Sequence, residues 1–593
     1  MAAPVLNEQI LLRWTKHVPS NDVGDPLGLN LRVSARLAAQ LLHCITSITP
    51  RARYYSFFPW CVFDYRRRTE GHKTQIGLVE AIRHRENALT TGCVLHHEGH
   101  ACDRGGLVGS DQAIKLYDRL RANEIDVARL RLVKNGAFGA YFGSLINLGF
   151  FEQTDGASLS DEASNEQIGS IDDLKLTELG TQVAEKYDAM VGSLVAVKNV
   201  ASASHRCAPH LLARWGERGG LCELTNSDAH DREFLRDIFF NRVVLPQNAQ
   251  RESSHPFRRK SLLLLLNLVR QLQCIDGQLN EPVFADAVFY NAIFFDDQTL
   301  LQLECPASLM DINLRWRMFY FHNFFSVALE ALFVCAVAVL KQAGLNGLPL
   351  SQLAEEMISP RATRGLAETT GVELSRAFLE LTPRDVVAAS GMDVPQLNVE
   401  SSHFLDSQLT VECPLAEWRL DQLLRTQETL LGQSGAALAL TLFSVTMARY
   451  GQWHDSHYGI WLSRSVEDPQ LDLAPSVLQH ELNRHIEDWW NTPWDKLAPF
   501  ILSRWVVRQH VSLGYEKSRD GSSSLLLIDG ERVRWLGPES YDRVGVGNPR
   551  YDNSVKILQD LCLLSYDGEN DRLFLTAAGK TFLDQELAAE VVS

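Results

Sequence analysis

Apolar residues recur three and four positions apart through most of the chain, and this spacing predicts amphipathic α-helices. The stretches RVSARLAAQLLHCI (32–45) and TQIGLVEAIRHRENAL (74–89) show the pattern clearly. Two others, RKSLLLLLNLVRQL (259–272) and WRMFYFHNFFSVALEALF (316–333), are too apolar for surface helices. We expect these two stretches to lie in the centre of the main core.

Strand patterns are confined to short segments of the chain. The stretch SSSLLLIDGERVRWLG (522–537) has two β-type runs on either side of Asp529-Gly530, which is a hairpin signal. The sequence therefore predicts a mainly α protein with a small β-hairpin near its C-terminal end.

One pattern occurs twice. NGAFGAYFGSLINLGFF (135–151) and NPRYDNSVKILQDLCLL (548–564) match in their aromatic and apolar positions at an offset of 413 residues. Downstream, LKLTELG (174–180) matches LFLTAAG (573–579) at an offset of 399, so the first copy has 14 more residues in its connecting loop. Each copy predicts a helix, a strand, a loop, a return strand and a threonine that caps the next helix.

This arrangement resembles the winged helix, a relative of the helix-turn-helix in which a β-hairpin wing flanks the recognition helix. A winged helix that reads DNA needs Lys and Arg on that helix and on the wing. The first copy has no basic residue from Ala137 to Asn147, and its loop is acidic. We therefore expect the first copy to be a structural or docking module, whereas the mixed charge of the second leaves DNA contact open.

Together with this resemblance, the helical pattern predicts a multi-domain helical body with two winged-helix-like units. The expected segments follow one another along the chain. They are an N-terminal helical domain with an arginine and aromatic segment (1–130), winged-helix-like unit 1 (131–195), an apolar helical core (196–345), a second helical region (346–510), and the β-hairpin with winged-helix-like unit 2 (511–593).

Charge is distributed unevenly along the chain. The protein carries a formal charge of −16, which argues against a uniformly basic, nucleic-acid-binding surface. Residues 31–90 nevertheless contain ten Lys or Arg and four acidic residues, interleaved with aromatic residues between 54 and 60. Three interpretations stay open: the arginines grip nucleic acid, dock on an acidic protein surface, or pair with acids inside the protein.

The candidate contact residues for nucleic acid or a protein partner are basic side chains of this segment and of the second repeat. They are Arg51, Arg53, Arg66, Arg67, Arg68, Lys73, Arg550, Lys556 and Arg572.

No complete catalytic motif is present in the sequence. There is no Gly-x4-Gly-Lys-Ser/Thr loop for nucleotide phosphates and no Gly-x-Ser-x-Gly elbow. The stretch CVLHHEGHACD contains zinc-ligand types at Cys93, His96, His97, His100 and Cys102, but no second Cys/His pair of matching spacing follows. A partner set would have to come from distant residues such as His205, Cys207 and His210, so we expect a polar loop, no metal and no cofactor.

The cysteine pattern bears on the compartment of the protein. Eleven cysteines without a Cys-x-x-Cys pair, and no secretory leader, favour a reducing cytoplasm. The stretch 324–340 is apolar, but Glu330 lies near its middle and it is shorter than a bilayer-spanning helix. We expect a buried core helix there and no membrane contact.

The organisation as a whole loosely resembles accessory subunits of bacterial defence and chromosome-handling systems, in which a partner supplies the ATPase or nuclease activity. That resemblance implies a non-catalytic binding or scaffold subunit, with antiviral defence as one setting and DNA or a partner enzyme as the contact. The alternative is a metal-dependent or divergent nuclease or hydrolase whose active-site residues are scattered along the chain.

Overall fold

The protein is mainly α-helical and multi-domain, and the sheets among the described residues have two or three strands. A computed structural model describes most of the chain. The described residues are 25–29, 34–69, 76–102, 105–132, 136–152, 173–243, 255–274, 277–290, 292–295, 299–302, 304–389, 415–454, 481–517, 524–538, 541–545, 547–569 and 572–592.

The chain forms two compact units, each assembled from segments that are distant in sequence. We name the units only by where their residues lie in the sequence: the flanking unit contains residues 36–295, 301–318 and 548–593, and the central unit contains residues 1–35, 296–300 and 319–547. These units cut across the five consecutive segments expected from the sequence. In particular, the C-terminal β-hairpin and the second repeat belong to different units.

The elements of the N-terminal half are helices of one to five turns and very short strands. The helices are α1 Ala35–Leu41, α2 Tyr54–Thr69, α3 Leu78–His96, α4 Ser110–Lys115, α5 Tyr117–Ala122, α6 Phe138–Asn147, α7 Glu178–Val191, α8 Val195–Ala201, α9 Pro209–Gly219, α10 Arg232–Phe239, α11 His255–Gln273 and α12 Glu281–Tyr290. The strands are β1 Ile125–Asp126 paired with β2 Arg206–Cys207, and β3 Ala292–Phe295 paired with β4 Thr299–Gln302.

The C-terminal half continues with helices and two further sheets. The helices are α13 Met310–Ala343, α14 Leu350–Met357, α15 Pro360–Thr370, α16 Pro383–Ala388, α17 Glu417–Arg425, α18 Gln427–Leu430, α19 Gly435–His454, α20 Trp494–Ile501, α21 Arg508–Lys517, α22 Tyr551–Asp560 and α23 Ala577–Val592. The strands are β5 Leu348–Pro349, β6 Leu526–Asp529, β7 Arg532–Trp535, β8 Leu564–Asp567 and β9 Arg572–Leu575.

Helix α13 contains the longest apolar stretch of the described chain. By length and composition it could cross a membrane, and 89% of its most apolar window is buried inside the protein. Glu330 in this helix is fully buried and accepts a hydrogen bond from the backbone N–H of Gly545, 2.6 Å away. Burial raises the pKa of Glu330 well above its ordinary value, which favours the neutral form of the side chain. The burial of this stretch agrees with the core helix expected from the sequence.

The expected β-hairpin is confirmed. β6 and β7 are antiparallel, with Ile528 opposite Val533, and Gly530 at the turn has a φ of 63°, which glycine adopts without strain. β5 pairs with the free edge of β7, so the strand order is β5-β7-β6.

The two sequence repeats adopt the same backbone arrangement in the flanking unit. We call residues 136–191 module 1 and residues 549–592 module 2. Helices α6 and α22 begin and end at equivalent positions, and each is ten residues long. In both modules the backbone then turns at a residue with positive φ. This residue is Gly149, at 76°, in module 1 and Cys562, at 59°, in module 2.

The residue after this turn makes an equivalent hydrogen bond in each module. The N–H of Phe150 donates to Leu145 at 3.0 Å, and that of Leu563 donates to Leu558 at 2.9 Å. In module 2 the chain continues as the β8–β9 hairpin. The described part of module 1 contains a single antiparallel bridge, Phe151 with Leu176, and its loop at 153–172 lies outside the described residues.

The repeated Leu-Thr-x-x-Gly motif has a specific structural role. Thr177 donates its hydroxyl to the Gly149 carbonyl at 2.6 Å and accepts the N–H of Gly180 at 3.1 Å. Thr576 makes the same two bonds, to Cys562 at 2.6 Å and from Gly579 at 2.9 Å. The threonine therefore caps the following helix and ties it to the turn after the preceding helix, as predicted for both repeats.

The glycine of the motif permits a close backbone approach. A Cβ atom on Gly180 would lie 2.0 Å from the Phe150 carbonyl oxygen, and one on Gly579 would lie 2.1 Å from that of Leu563. No other residue fits at that distance, which explains why the motif ends in glycine in both copies.

The helix that precedes the hairpin is packed inside the flanking unit in both modules. In α6 the exposed residues are Gly139 and Gly143, and in α22 the exposed residue is Asp552. Neither helix presents the exposed basic face that groove recognition needs. The winged-helix resemblance itself stays a prediction.

Candidate binding surface at the end of α2

Helix α2 carries the arginine and aromatic segment singled out in the sequence. Its first nine residues, from Tyr54 to Val62, are all buried, because this part of the helix is apolar on every side. The last turn leaves the core, and Arg66 and Arg67 there are exposed. The helix thus divides into a core-forming part and a short basic surface.

The aromatic rings of α2 are core residues. Tyr54, Tyr55 and Trp60 are each at most 2% exposed. The Tyr54 ring lies 4.9 Å from that of Tyr141, and the Trp60 ring lies 5.2 Å from that of Tyr187. Rings in this position cannot stack on nucleic-acid bases. Their role is to fill the core.

Arg51 and Arg53 are corrected from candidate contact residues to internal ion-pair residues. The Nε of Arg51 lies 3.0 Å from Asp560, and an Nη of Arg53 lies 3.1 Å from Asp231, with all four side chains at most 1% exposed. Burial acts to lower the pKa of Arg51, but Asp560 holds it above its ordinary value. Both guanidinium groups are occupied inside the protein and cannot reach an external phosphate or carboxylate.

A cluster of arginines surrounds one buried carboxylate where α2 emerges. We call Asp64, Arg67, Arg68, Arg85 and Asp188 the Asp64 cluster. Asp64 is fully buried, and its oxygens lie 2.6 Å from Arg85, 2.8 Å from Arg68 and 3.0 Å from Arg67. Arg67 also makes a 2.7 Å ion pair with Asp188 on α7. The cluster therefore joins α2 to α3 and α7.

The electrostatics of the cluster favour the ionised forms of Asp64 and Arg67. Burial acts to raise the pKa of Asp64, but Arg85, followed by Arg68 and Arg67, holds that pKa below its ordinary value. The hydrogen bond with Asp188 is the largest cause of the raised pKa of Arg67. Asp64 is thus a fixed negative charge that positions three guanidinium groups.

Positive charge exceeds negative charge in this set of residues. Three arginines share the two carboxylates of the cluster, and Arg66 adds a fourth guanidinium, which donates to the Leu174 carbonyl at 3.1 Å. We call Arg66, Arg67 and Arg68 the arginine surface. Lys73, also predicted as a contact residue, lies outside the described residues.

The basic residues predicted in module 2 are dispersed and half-buried. Arg550 donates to the Ile45 carbonyl at 2.8 Å, Lys556 lies in the middle of α22, and Arg572 begins β9. These three residues do not line one helix face. Among the predicted contact residues that the structure describes, those of the arginine surface are the ones that lie together at an exposed position.

Sequence reasoning missed the carboxylates that organise this surface. Asp64 precedes Arg67 and Arg68 by three and four residues, which is the spacing of neighbours on a helix, so this part of the cluster was visible in the sequence. Asp188 and Arg85 come from other helices, and no local pattern connects them to Asp64.

We compared the chain with known protein families, curated proteins and solved structures. No protein-family model, no curated protein and no solved structure matches the chain. The class of protein is therefore defined by the chain's own architecture, a mainly helical, multi-domain protein with an internally repeated helix–turn–helix-cap module.

Proposed function

We propose that the protein is a non-catalytic binding or scaffold subunit of a bacterial multi-protein system, and that the arginine surface contacts an acidic partner. The observation that carries this proposal is the excess of guanidinium groups around Asp64, held at an exposed helix end on a chain of net charge −16. Positive charge that is fixed in place by a buried acid is available for recognition without further ordering.

The chemistry of the surface suits carboxylate or phosphate. Guanidinium groups form charge-assisted hydrogen bonds with both, and their planar geometry favours oxygens that are fixed in pairs. Arg66 and Arg67 are exposed enough to be reached by a partner. A local basic surface on an acidic protein directs association to one face, because the rest of the molecule repels acidic partners.

A protein partner is favoured over DNA. The net negative charge of the chain opposes approach to a phosphate backbone. The rings that could stack on bases are buried, and α6 and α22 lack an exposed basic face. We therefore propose an acidic face of a partner enzyme, an ATPase or a nuclease, as the contact, in a cytoplasmic assembly of the defence or chromosome-handling type.

The experiment compares two sets of arginines in the same unit. Arg66, Arg67 and Arg68 are replaced together by Glu, and the chain is purified from its native host beside the wild type. Arg119, Arg121 and Arg129 provide the matched control, because they are exposed and their replacement by Glu changes the net charge by the same amount. We expect the first triple to lose the co-purifying partner and the control triple to retain it.

A single Arg66→Glu change provides a check on folding. Arg67 and Arg68 pair with Asp64, so their reversal can disturb the fold, whereas a change at Arg66, which donates to the Leu174 carbonyl, leaves those two ion pairs in place. The single variant should weaken the partner complex, and its thermal unfolding midpoint, measured beside that of the wild type, separates loss of binding from loss of folding. Retention of the partner by all three variants would contradict the proposal.

Duplex DNA is the second arm of the same experiment. If DNA is the ligand, wild-type affinity should fall steeply with salt, with a log–log slope of roughly −0.9 for each phosphate contacted. Loss of three contacts would flatten that slope by about 2 to 3 units in the first triple. If a protein is the ligand, the first triple loses the partner and any DNA affinity stays unchanged.

A further inference from the structure

Helices α3 and α9 cross at very short range in the flanking unit. A Cβ atom on Gly92 would lie 2.4 Å from the Leu212 carbonyl oxygen, and one on Gly216 would lie 2.2 Å from the carbonyl oxygen of Gly92. Two glycines facing each other allow the helix backbones to touch. As a result, the end of α3 and the turn that follows α9 lie side by side.

The chain reverses direction immediately after α3. Glu98 and Gly99 have positive φ angles of 53° and 89°, and the N–H of Gly99 donates to the Val94 carbonyl at 2.9 Å. This turn brings Cys102 back toward the last turn of α3, where its Sγ lies 3.5 Å from Nε2 of His97.

The turn after α9 is held by buried side chains. The Gly220 carbonyl accepts a 2.7 Å hydrogen bond from Arg53, and the 3₁₀ turn Cys222–Thr225 follows. This turn places Cys222 beside Cys102, with their Cα atoms 6.4 Å apart. It also places a carboxylate oxygen of Glu223 at 3.3 Å from Nε2 of His96.

Ligand atoms of two overlapping groups therefore meet at this point. Those of His97, Cys102 and Cys222 all lie within 4.8 Å of one another, and so do those of His96, His97 and Glu223. His97 belongs to both groups. Two sulfurs, imidazole nitrogen and a carboxylate are the ligand types that zinc prefers.

We propose that His97, Cys102 and Cys222 bind a structural zinc ion in the reduced protein, with Glu223 as the fourth ligand. Zinc bonds of about 2.3 Å to sulfur and about 2.0 to 2.1 Å to nitrogen place neighbouring tetrahedral ligand atoms about 3.4 to 3.8 Å apart. The 3.5 Å separation of His97 Nε2 and Cys102 Sγ falls in that range. Four protein ligands leave no open position, which is the pattern of structural zinc sites.

The same two cysteines also form a disulfide in the structure. The disulfide and the zinc site are mutually exclusive states, because zinc requires both sulfurs as separate thiolates. The reducing compartment expected from the cysteine pattern favours the thiolate state.

The stretch CVLHHEGHACD lacks a second ligand pair nearby in the sequence, and for this reason the sequence alone predicts no metal. Cys222 and Glu223, more than a hundred residues away, now provide that pair. Two of the distant residues that the sequence offers as ligands lie elsewhere: Cys207 is in strand β2, and the ring of His205 packs against His84 at 4.5 Å. Of the original cluster, Cys93 and His100 take no part in the proposed site.

Metal content of the purified chain tests the proposal. The protein is expressed with added zinc and purified with a phosphine reductant and without chelator, and its metal content is measured by mass spectrometry. We expect about one zinc per chain in the wild type, and less than a tenth of that in Cys222→Ser and His97→Ala. His100→Ala is the matched control, because His100 is exposed in the same turn and should leave the zinc in place.

Cobalt substitution provides a readout that does not require the variants to fold. Wild-type apoprotein titrated with Co²⁺ should develop the visible bands of a tetrahedral ion and a thiolate-to-cobalt charge-transfer band, saturating at one equivalent. Absence of both zinc and these cobalt bands from the reduced wild-type protein would overturn the proposal. Full zinc retention by Cys222→Ser would also overturn it, since the site would then not include Cys222.

Discussion

Modules 1 and 2 make the same backbone contacts with few identical side chains, and they differ in how they are fixed to the rest of the flanking unit. Their shared residues are those that the backbone requires, such as Thr177 and Thr576 or Gly180 and Gly579. Their different residues lie on α6 and α22, where each helix must fit its own surroundings. Repeated backbone geometry thus needs only a few positions, and the remaining positions are free to adapt.

The segment around Arg51 illustrates the difference, because both modules contact it. Module 1 uses the neutral hydroxyl of Tyr141, which accepts the Arg51 N–H at 3.0 Å. Module 2 uses the carboxylate of Asp560, which binds the Arg51 guanidinium and also accepts the N–H of Ala52 at 3.0 Å. The residue of module 1 that is equivalent to Asp560 is Asn147, which carries no charge.

The largest expected effect concerns this buried ion pair. Asp560→Asn gives module 2 the residue that module 1 has, and it leaves the Arg51 guanidinium buried without a counter-charge. We expect a loss of about 3–5 kcal/mol in the stability of the flanking unit. Tyr141→Phe, which removes a neutral hydrogen-bonding group from the other side of Arg51, should cost about 1–3 kcal/mol.

Native-state hydrogen exchange at the Phe150 and Leu563 amides can measure both variants, because these two amides are equivalent in the modules. Equal losses for Asp560→Asn and Tyr141→Phe would contradict the distinction between a charged and a neutral attachment.

The next effect depends on pH and is specific to module 1. Glu86 accepts the N–H groups of Ala137 and Phe138 at the start of α6, at 2.6 and 3.1 Å. Burial raises the pKa of Glu86 to about 7. The folded state therefore keeps a proton that the unfolded chain releases near pH 4.5, and stability falls as pH rises through the window from about 4.5 to about 7.

Glu86→Gln should remove this dependence while its amide oxygen keeps the two hydrogen bonds. The difference between wild type and variant across the window should be on the order of 3 kcal/mol. The measurement is the thermal unfolding midpoint at a series of pH values. Parallel pH profiles for the two proteins would show that Glu86 does not titrate in this way.

A smaller effect tests the close approach that the two modules share. Gly180→Ala and Gly579→Ala each force a methyl group against a carbonyl oxygen, so each should cost about 1–3 kcal/mol. Gly139→Ala is the control, because a Cβ there meets nothing within 4 Å on an exposed helix face. That change should stabilise α6 by about 0.5–1 kcal/mol. The measurement is the free energy of unfolding of the three variants in denaturant. An unchanged free energy of unfolding for Gly180→Ala or Gly579→Ala would refute the equivalence of the modules.

The smallest effect concerns the caps. Thr177→Val and Thr576→Val each remove one hydroxyl that bonds to a turn and to a helix N-terminus. We expect equal losses of about 0.5–2 kcal/mol. Hydrogen exchange at the Gly180 and Gly579 amides is the measurement, and a loss confined to one module would mean that the motif has different roles in the two copies.

Local patterns predicted the parts of this protein that depend on neighbouring residues. The 3.6-residue period indicated the helices, Asp529-Gly530 indicated the β6–β7 hairpin, and the repeated threonines indicated two caps. The apolar run around Glu330 was also expected to be buried, and it is.

Partners that are distant in sequence were not predictable. Arg51 and Arg53 are candidate contact residues in the sequence, where pairing with internal acids is one of three open interpretations, and the structure shows that pairing, with Asp560 and Asp231 in the core. The carboxylate that binds Arg51 is 509 positions away, and no local period encodes that pairing. Cys222 was missed beside Cys102 for the same reason.

Hydrogen exchange of the assembled complex tests the central claim, that the protein binds through the arginine surface and uses the helices of its modules internally. The free chain and the chain bound to its co-purified partner are compared peptide by peptide. The account predicts new protection at residues 64–69 on binding, and no change in α6 and α22, which are already buried in the free chain. New protection in α22 and the β8–β9 hairpin, with none at residues 64–69, would contradict it.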